Sequence, residues 1–114
     1  MALALGTMKL TPAAMADLIK EGPVDRAAYF SKWLEGIGGK LLAYYFAEDS
    51  DIDIVTLAEL PDDMRAHTAK SIATWAANWS AGMAQHLEVI WLATPEELAE
   101  ALKATRTVGA PGHE

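Results

Sequence analysis

At 114 residues the chain has the length of one domain, enough to bury a core without disulfides or a structural metal. It has no cysteine, which excludes a disulfide framework, a thiolate metal site and a cysteine nucleophile, and which suits a cytoplasmic address. Sixteen acidic against nine basic side chains give a formal charge of −7, which opposes the counterion release that drives nucleic-acid binding, so no nucleic-acid partner is expected.

The start, MALALGTMKL, has an apolar run with no basic residue before it and too short for a secretory signal, so it predicts a first strand. Nowhere do about eighteen apolar residues follow one another, and no membrane-spanning helix is expected. Thr11-Pro12 is a helix start: threonine caps free amides, and proline at the first helical position gives up only an amide that had no partner. Met15, Leu18 and Ile19 then repeat at helical spacing until Gly22-Pro23 interrupts them. From Asp25 a second stretch places Phe30, Trp33, Leu34 and Ile37 on one face, and Gly38-Gly39 stops it.

Residues 40–47 and 52–59 are rich in aromatic and β-branched side chains and flank the acidic turn Glu48-Asp49-Ser50-Asp51, which predicts a β-hairpin. Strict alternation puts Leu41, Ala43, Tyr45 and Ala47 on one side of the first strand and Leu42, Tyr44 and Phe46 on the other, so neither side is polar. Pro61-Asp62-Asp63 opens a helix ending near Gly82, with Met64, Thr68, Ile72, Trp75 and Trp79 on one stripe. Residues 86–92 predict a last strand. Thr94-Pro95-Glu96-Glu97 combines a proline start with a capping box ahead of Leu98, Ala101 and Leu102. The expected organisation is one domain over residues 1–106 and a flexible tail over 107–114.

The order strand, helix, strand, strand, helix, strand, with a further C-terminal helix, matches a split βαβ pattern: an α+β fold with a four-stranded antiparallel sheet and helices on one face. A sheet covered on one face by helices normally shows water a polar second face. Here the second face carries apolar residues, and another copy of the same sheet is the simplest cover.

Several segments resemble the GYD-domain family: the KEG segment with its following arginine (Lys20 to Arg26), the GGK turn (Gly38 to Lys40), the YYFA strand (Tyr44 to Ala47), the ELPDD helix entry (Glu59 to Asp63) and LATPEEL (Leu92 to Leu98). At the namesake triplet this chain reads Ser50-Asp51-Ile52-Asp53, keeping the aspartate and lacking the glycine and tyrosine. The resemblance implies a ferredoxin-like protomer of a dimeric α+β barrel, and no particular activity.

Asp49-Ser50-Asp51-Ile52-Asp53 imitates the opening of a calcium loop, but Ile54 and Leu60 stand where that loop needs glycine and a bidentate glutamate. Gly36 to Lys40 fails as a phosphate loop, with Leu34 and Leu41 at the positions that need glycine and a hydroxyl. The three histidines have no ligand spacing, so neither metal nor cofactor is expected.

His67, Ser71, Thr74 and Asn78 recur at helical spacing beside Trp75 and Trp79, and a polar row bordering an aromatic row can wall a cleft or simply mark the helix rim. His67 is the acid–base candidate, because imidazole titrates near neutrality. Trp75, Trp79 and Asn78 are the ligand-binding candidates on this helix, and Tyr44 and Asp53 approach from the sheet. Two functions fit this pattern: a dimeric module binding a small apolar ligand, or a cofactor-independent enzyme such as an isomerase or mono-oxygenase with His67 as proton shuttle.

Overall fold

The computed structural model describes the backbone of residues 1–80 and 82–108 and the side chains of residues 1–77 and 82–105. The N-terminal run forms β1 (Ala2–Leu10), and helices α1 (Pro12–Glu21) and α2 (Pro23–Gly36) follow. Thr11 caps α1 by accepting from the Ala14 N–H at 3.1 Å, and its own hydroxyl donates to the Gly82 carbonyl at 2.7 Å. One threonine thereby fixes both the start of α1 and the chain segment leading into the last strand. The break between α1 and α2 falls at Gly22, whose φ of 99° favours glycine.

The predicted hairpin is present as β2 (Lys40–Phe46) and β3 (Ile54–Leu60), and β4 spans Ala84–Leu92. The four strands pair in the order β2-β3-β1-β4, all antiparallel. With the helices inserted between β1 and β2 and between β3 and β4, this is the ferredoxin-like α+β arrangement. Two buried clusters lie between sheet and helices. One centres on Met8, Leu10, Leu18 and Ile54, the other on Ala4, Leu34, Leu60 and Met64.

Alternation in β2 departs from the expectation. The register shifts between Leu41 and Ala43, so Leu41 pairs with Ala58 and packs on the core, while Ala43 pairs with Leu57 on the opposite face. The extra residue at Leu42 is a bulge, and it puts Leu41 and Ala43 on different sides of the sheet.

The helix expected from Pro61 is also interrupted. Asp62–Arg65 forms one 3-10 turn, His67 takes the left-handed conformation with φ of 45°, and α3 begins only at Ala69 and runs to Ser80. Thr68 caps it: its hydroxyl accepts from the Ser71 N–H at 3.2 Å, and it donates to the Asp63 carbonyl at 2.8 Å. Because the helical count restarts after the turn, the inward face of α3 is Ser71, Thr74 and Trp75, whereas Ile72 is 58 % exposed.

The last helix, α4 (Pro95–Val108), starts at the predicted capping box. Glu97 N–H donates to Thr94 Oγ1 at 3.0 Å, and Thr94 N–H donates to Glu97 Oε1 at 3.1 Å. The helix continues past Thr105 through Val108, and residues 109–114 of the expected tail lie outside the described residues. Its apolar residues Leu98 and Leu102 are 55 % and 46 % exposed. The radius of gyration is 17.2 Å, against about 13 Å for a compact chain of this size, because the molecule extends 60 Å along its long axis.

Candidate functional site

The sheet face under the helices does not close completely. A cavity of about 70 Å³ lies there, open to solvent at its mouth. Its floor is the middle of the sheet: Gly6 on β1, Ile54 and Thr56 on β3, and Val89 on β4. Phe30 and Trp33 of α2 form one wall, with Thr74 and Trp75 of α3 facing them. Those positions follow from sequence spacing. Phe30, Trp33, Leu34 and Ile37 repeat at helical period along α2, and Leu34, the most buried of them, anchors the helix while its aromatic neighbours reach the gap.

Among the described residues, no titratable side chain lines this cavity. Besides the indoles of Trp33 and Trp75, its side chains with polar atoms are two threonines. The Thr74 hydroxyl donates to the Lys70 carbonyl at 2.8 Å, within its own helix. Thr56 is 8 % exposed. A Cβ placed on Gly6 would come within 2.6 Å of Thr56 Oγ1, so the hydroxyl leans across the central strand into space that only glycine leaves open.

The candidates from sequence are dispersed. Trp75 lines the cavity. The side chains of Asn78 and Trp79, in the last turn of α3, lie outside the described residues. His67 is exposed in the turn before α3 and does not line the cavity, because the left-handed residue removes it from the helical row that suggested it. Asp53 is committed to the backbone: its carboxylate accepts from the Leu10 N–H at 2.8 Å, its N–H donates to the Met8 carbonyl and its carbonyl accepts from the Ala47 N–H, both at 2.9 Å. It locks the end of β1 to the hairpin and is not at the cavity. Among the described residues no group of three or more His, Cys, Asp or Glu is placed to hold a metal ion.

Tyr44 stands behind Phe30, their rings edge-on with centroids 5.5 Å apart, and it does not line the cavity itself. Burial pushes its phenol above the ordinary value of 10.0, against the opposing pull of the Arg26 guanidinium beside it. Arg26 is itself buried, 3.9 Å from Glu21, with its Nη2 unpartnered. A phenol whose folded pKa is raised contributes stability that is fully present below pH 10 and lost as the pH climbs through the folded value. Tyr44→Phe is therefore expected to weaken the alkaline loss of stability while changing stability at pH 7 by no more than about 1 kcal/mol. Urea titrations at pH 7 and pH 11 check this, and equal alkaline losses in the two proteins would refute it.

Sequence reading missed Thr56 and Gly6, and treated Phe30 and Trp33 as core alone. The available signal was Gly6, since a glycine inside a strand marks a close approach. Comparison of the chain with family models and with curated proteins finds no match.

Proposed function

We propose that this protein is a small-molecule-binding module that works as a homodimer of the dimeric α+β barrel kind, in keeping with its GYD-domain resemblance. The observation that carries the binding reading is the cavity, aromatic on two walls and floored by the sheet, which is the usual form of a small-ligand site. The enzyme alternative needs a proton-transfer group at that place, and the described lining offers none.

The dimer reading rests on the opposite face of the sheet. Pairing registers lay out rows across it: Ala43, Leu57, Leu5 and Ile90 in one, Tyr45, Val55, Thr7 and Glu88 in the next, with Lys9 and His86 at one margin and Lys40 and Glu59 at the other. An apolar centre with a polar rim is the anatomy of an interface, and Tyr45 is 68 % exposed in the protomer. Four strands roughly 4.8 Å apart and seven residues long at roughly 3.3 Å each project about 450 Å², short of the roughly 800 Å² per partner of a standard interface. The exposed leucines of α4 supply further apolar area, and a helix of 14 residues is marginal in water without a tertiary partner.

Sedimentation velocity at micromolar concentration, together with titration of the indole N–H signals by a small apolar compound, tests both parts. A dimer with saturable shifts at two indoles, assigned to Trp33 and Trp75, is expected. A monomer would remove the assembly, and unperturbed indoles would remove the binding site.

A further inference from the structure

Resting on the dimer reading above, we infer that α4 is an exchanged arm: each protomer lays the Leu98, Ala101 and Leu102 stripe of this helix on the β2 edge of a second copy of the chain, against Leu42 and Tyr45 of the partner subunit. The inference joins a helix that has no bed in its own protomer to an apolar edge that has no cover.

Every described side chain of α4, from Pro95 through Thr105, is exposed. The helix is amphipathic all the same. Leu98, Ala101, Leu102 and Thr105 recur at i, i+3, i+4 and i+7 along one side, while Glu96, Glu100 and Lys103 stand on the other, the last two paired at 3.3 Å. Most of the stability of a helix in a protein comes from packing such an apolar face, so the stripe requires a surface outside its own protomer. Its direction is set from the first turn: only Ala93 and Thr94 separate it from β4, and the capping box and Pro95 hold its start.

The receiving surface lies across the sheet. In the order β2-β3-β1-β4, α4 continues from one edge strand and β2 is the other. β2 leaves Leu42 and Tyr45 exposed, and an edge strand with apolar side chains is an aggregation hazard that proteins cover with a helix or loop. Within one protomer the two surfaces do not meet, since both stay exposed. When two such sheets pack face to face about a two-fold axis running along the strands, β4 of each lies over β2 of the other. The arm then arrives at the uncovered edge of the partner, and symmetry makes the two contacts equivalent.

The area needed for a stable pair agrees. The open sheet face projects about 450 Å², against roughly 800 Å² per partner in a standard interface. A helix of 14 residues is about 21 Å long and roughly 10 Å across, so it covers about 200 Å². In a reciprocal exchange each protomer gives one such area and receives another, which brings the total to about 850 Å². Two α4 helices paired only with each other would add that area once and leave the interface short.

The test uses the full chain. Sedimentation equilibrium compares the unaltered protein with the double variant Leu98→Gln/Leu102→Gln, which keeps the net charge and the helix propensity of an exposed helix. The dissociation constant is expected to rise at least about a hundredfold, because two leucines are lost from each of two arms. In dimers formed from labelled and unlabelled protomers, isotope-filtered NMR should place the Leu98 and Leu102 methyls beside Leu42 and Tyr45 of the partner subunit. An unchanged dissociation constant, or cross-protomer contacts that run only from one α4 to the other, would overturn the arm and leave the sheet-face dimer standing. A monomeric unaltered protein would remove the dimer reading and this inference with it.

Discussion

If the protein pairs through its sheet faces as proposed, Leu57→Lys is expected to turn that dimer into a monomer. Leu57 sits on the open face of the sheet between Leu5 and Ala43, in the row that carries only apolar side chains. In the isolated protomer this face meets water, so a lysine there extends its ammonium into solvent and the fold keeps its stability. In a dimer closed through the same faces, the ammonium would be buried without a partner, which costs several kcal/mol. Each 1.4 kcal/mol is tenfold in affinity, so the dissociation constant should rise by roughly 10³ or more. Sedimentation equilibrium of the two proteins over a range of concentrations reads this directly. An unchanged dimer in the variant would show that the sheet faces are not the interface.

Ile54→Ala is expected to cost about 4 kcal/mol of folding stability, within the range for truncating a fully buried aliphatic side chain. Ile54 is 1 % exposed, packs in the cluster with Met8, Leu10 and Leu18, and also borders the cavity. The new void would merge with space already present, and helices that leave a gap beside Thr56 are poorly placed to collapse into it. Against a typical total of about 5–15 kcal/mol, such a loss brings the protein near unfolding at 37 °C. Ile72→Ala is the control. Ile72 is 58 % exposed on the outer side of α3, and its truncation should stay within about 0.5 kcal/mol. Chemical denaturation of both variants decides the matter. A loss below about 1 kcal/mol at Ile54, or equal losses at the two positions, would contradict the packing described here.

The architecture was readable in the sequence because its punctuation is local. Thr11-Pro12, Gly22-Pro23, Gly38-Gly39 and the Thr94 to Glu97 box each act within a few residues of the backbone they shape, and each marks a boundary in the structure. What escaped reading depends on single backbone states or on distant partners. One left-handed residue, His67, broke the helix that periodicity had extended back to Pro61, and it moved the inward face from Ile72 to Ser71. One extra residue at Leu42 separated Leu41 from Ala43. The carboxylate of Asp53 found its use at Leu10, 43 positions away in sequence, and no local pattern announces that bond. The cavity is harder still, since it is a shortfall of volume between α2, α3 and the sheet, and side-chain identities alone do not sum to a void. Trp75 was placed beside it because aromatic spacing on a helix is local, and Thr56 was missed because its significance lies in the missing Cβ of Gly6 on the neighbouring strand.

Native mass spectrometry of the freshly purified protein tests the proposed function most directly, because it weighs assembly and cargo together. The expected spectrum is dominated by an ion of twice the 12.3 kDa protomer mass that carries one or two small neutral adducts, released on gentle activation before the subunits part. A spectrum of bare protomers, free of any adduct at micromolar concentration, would contradict it.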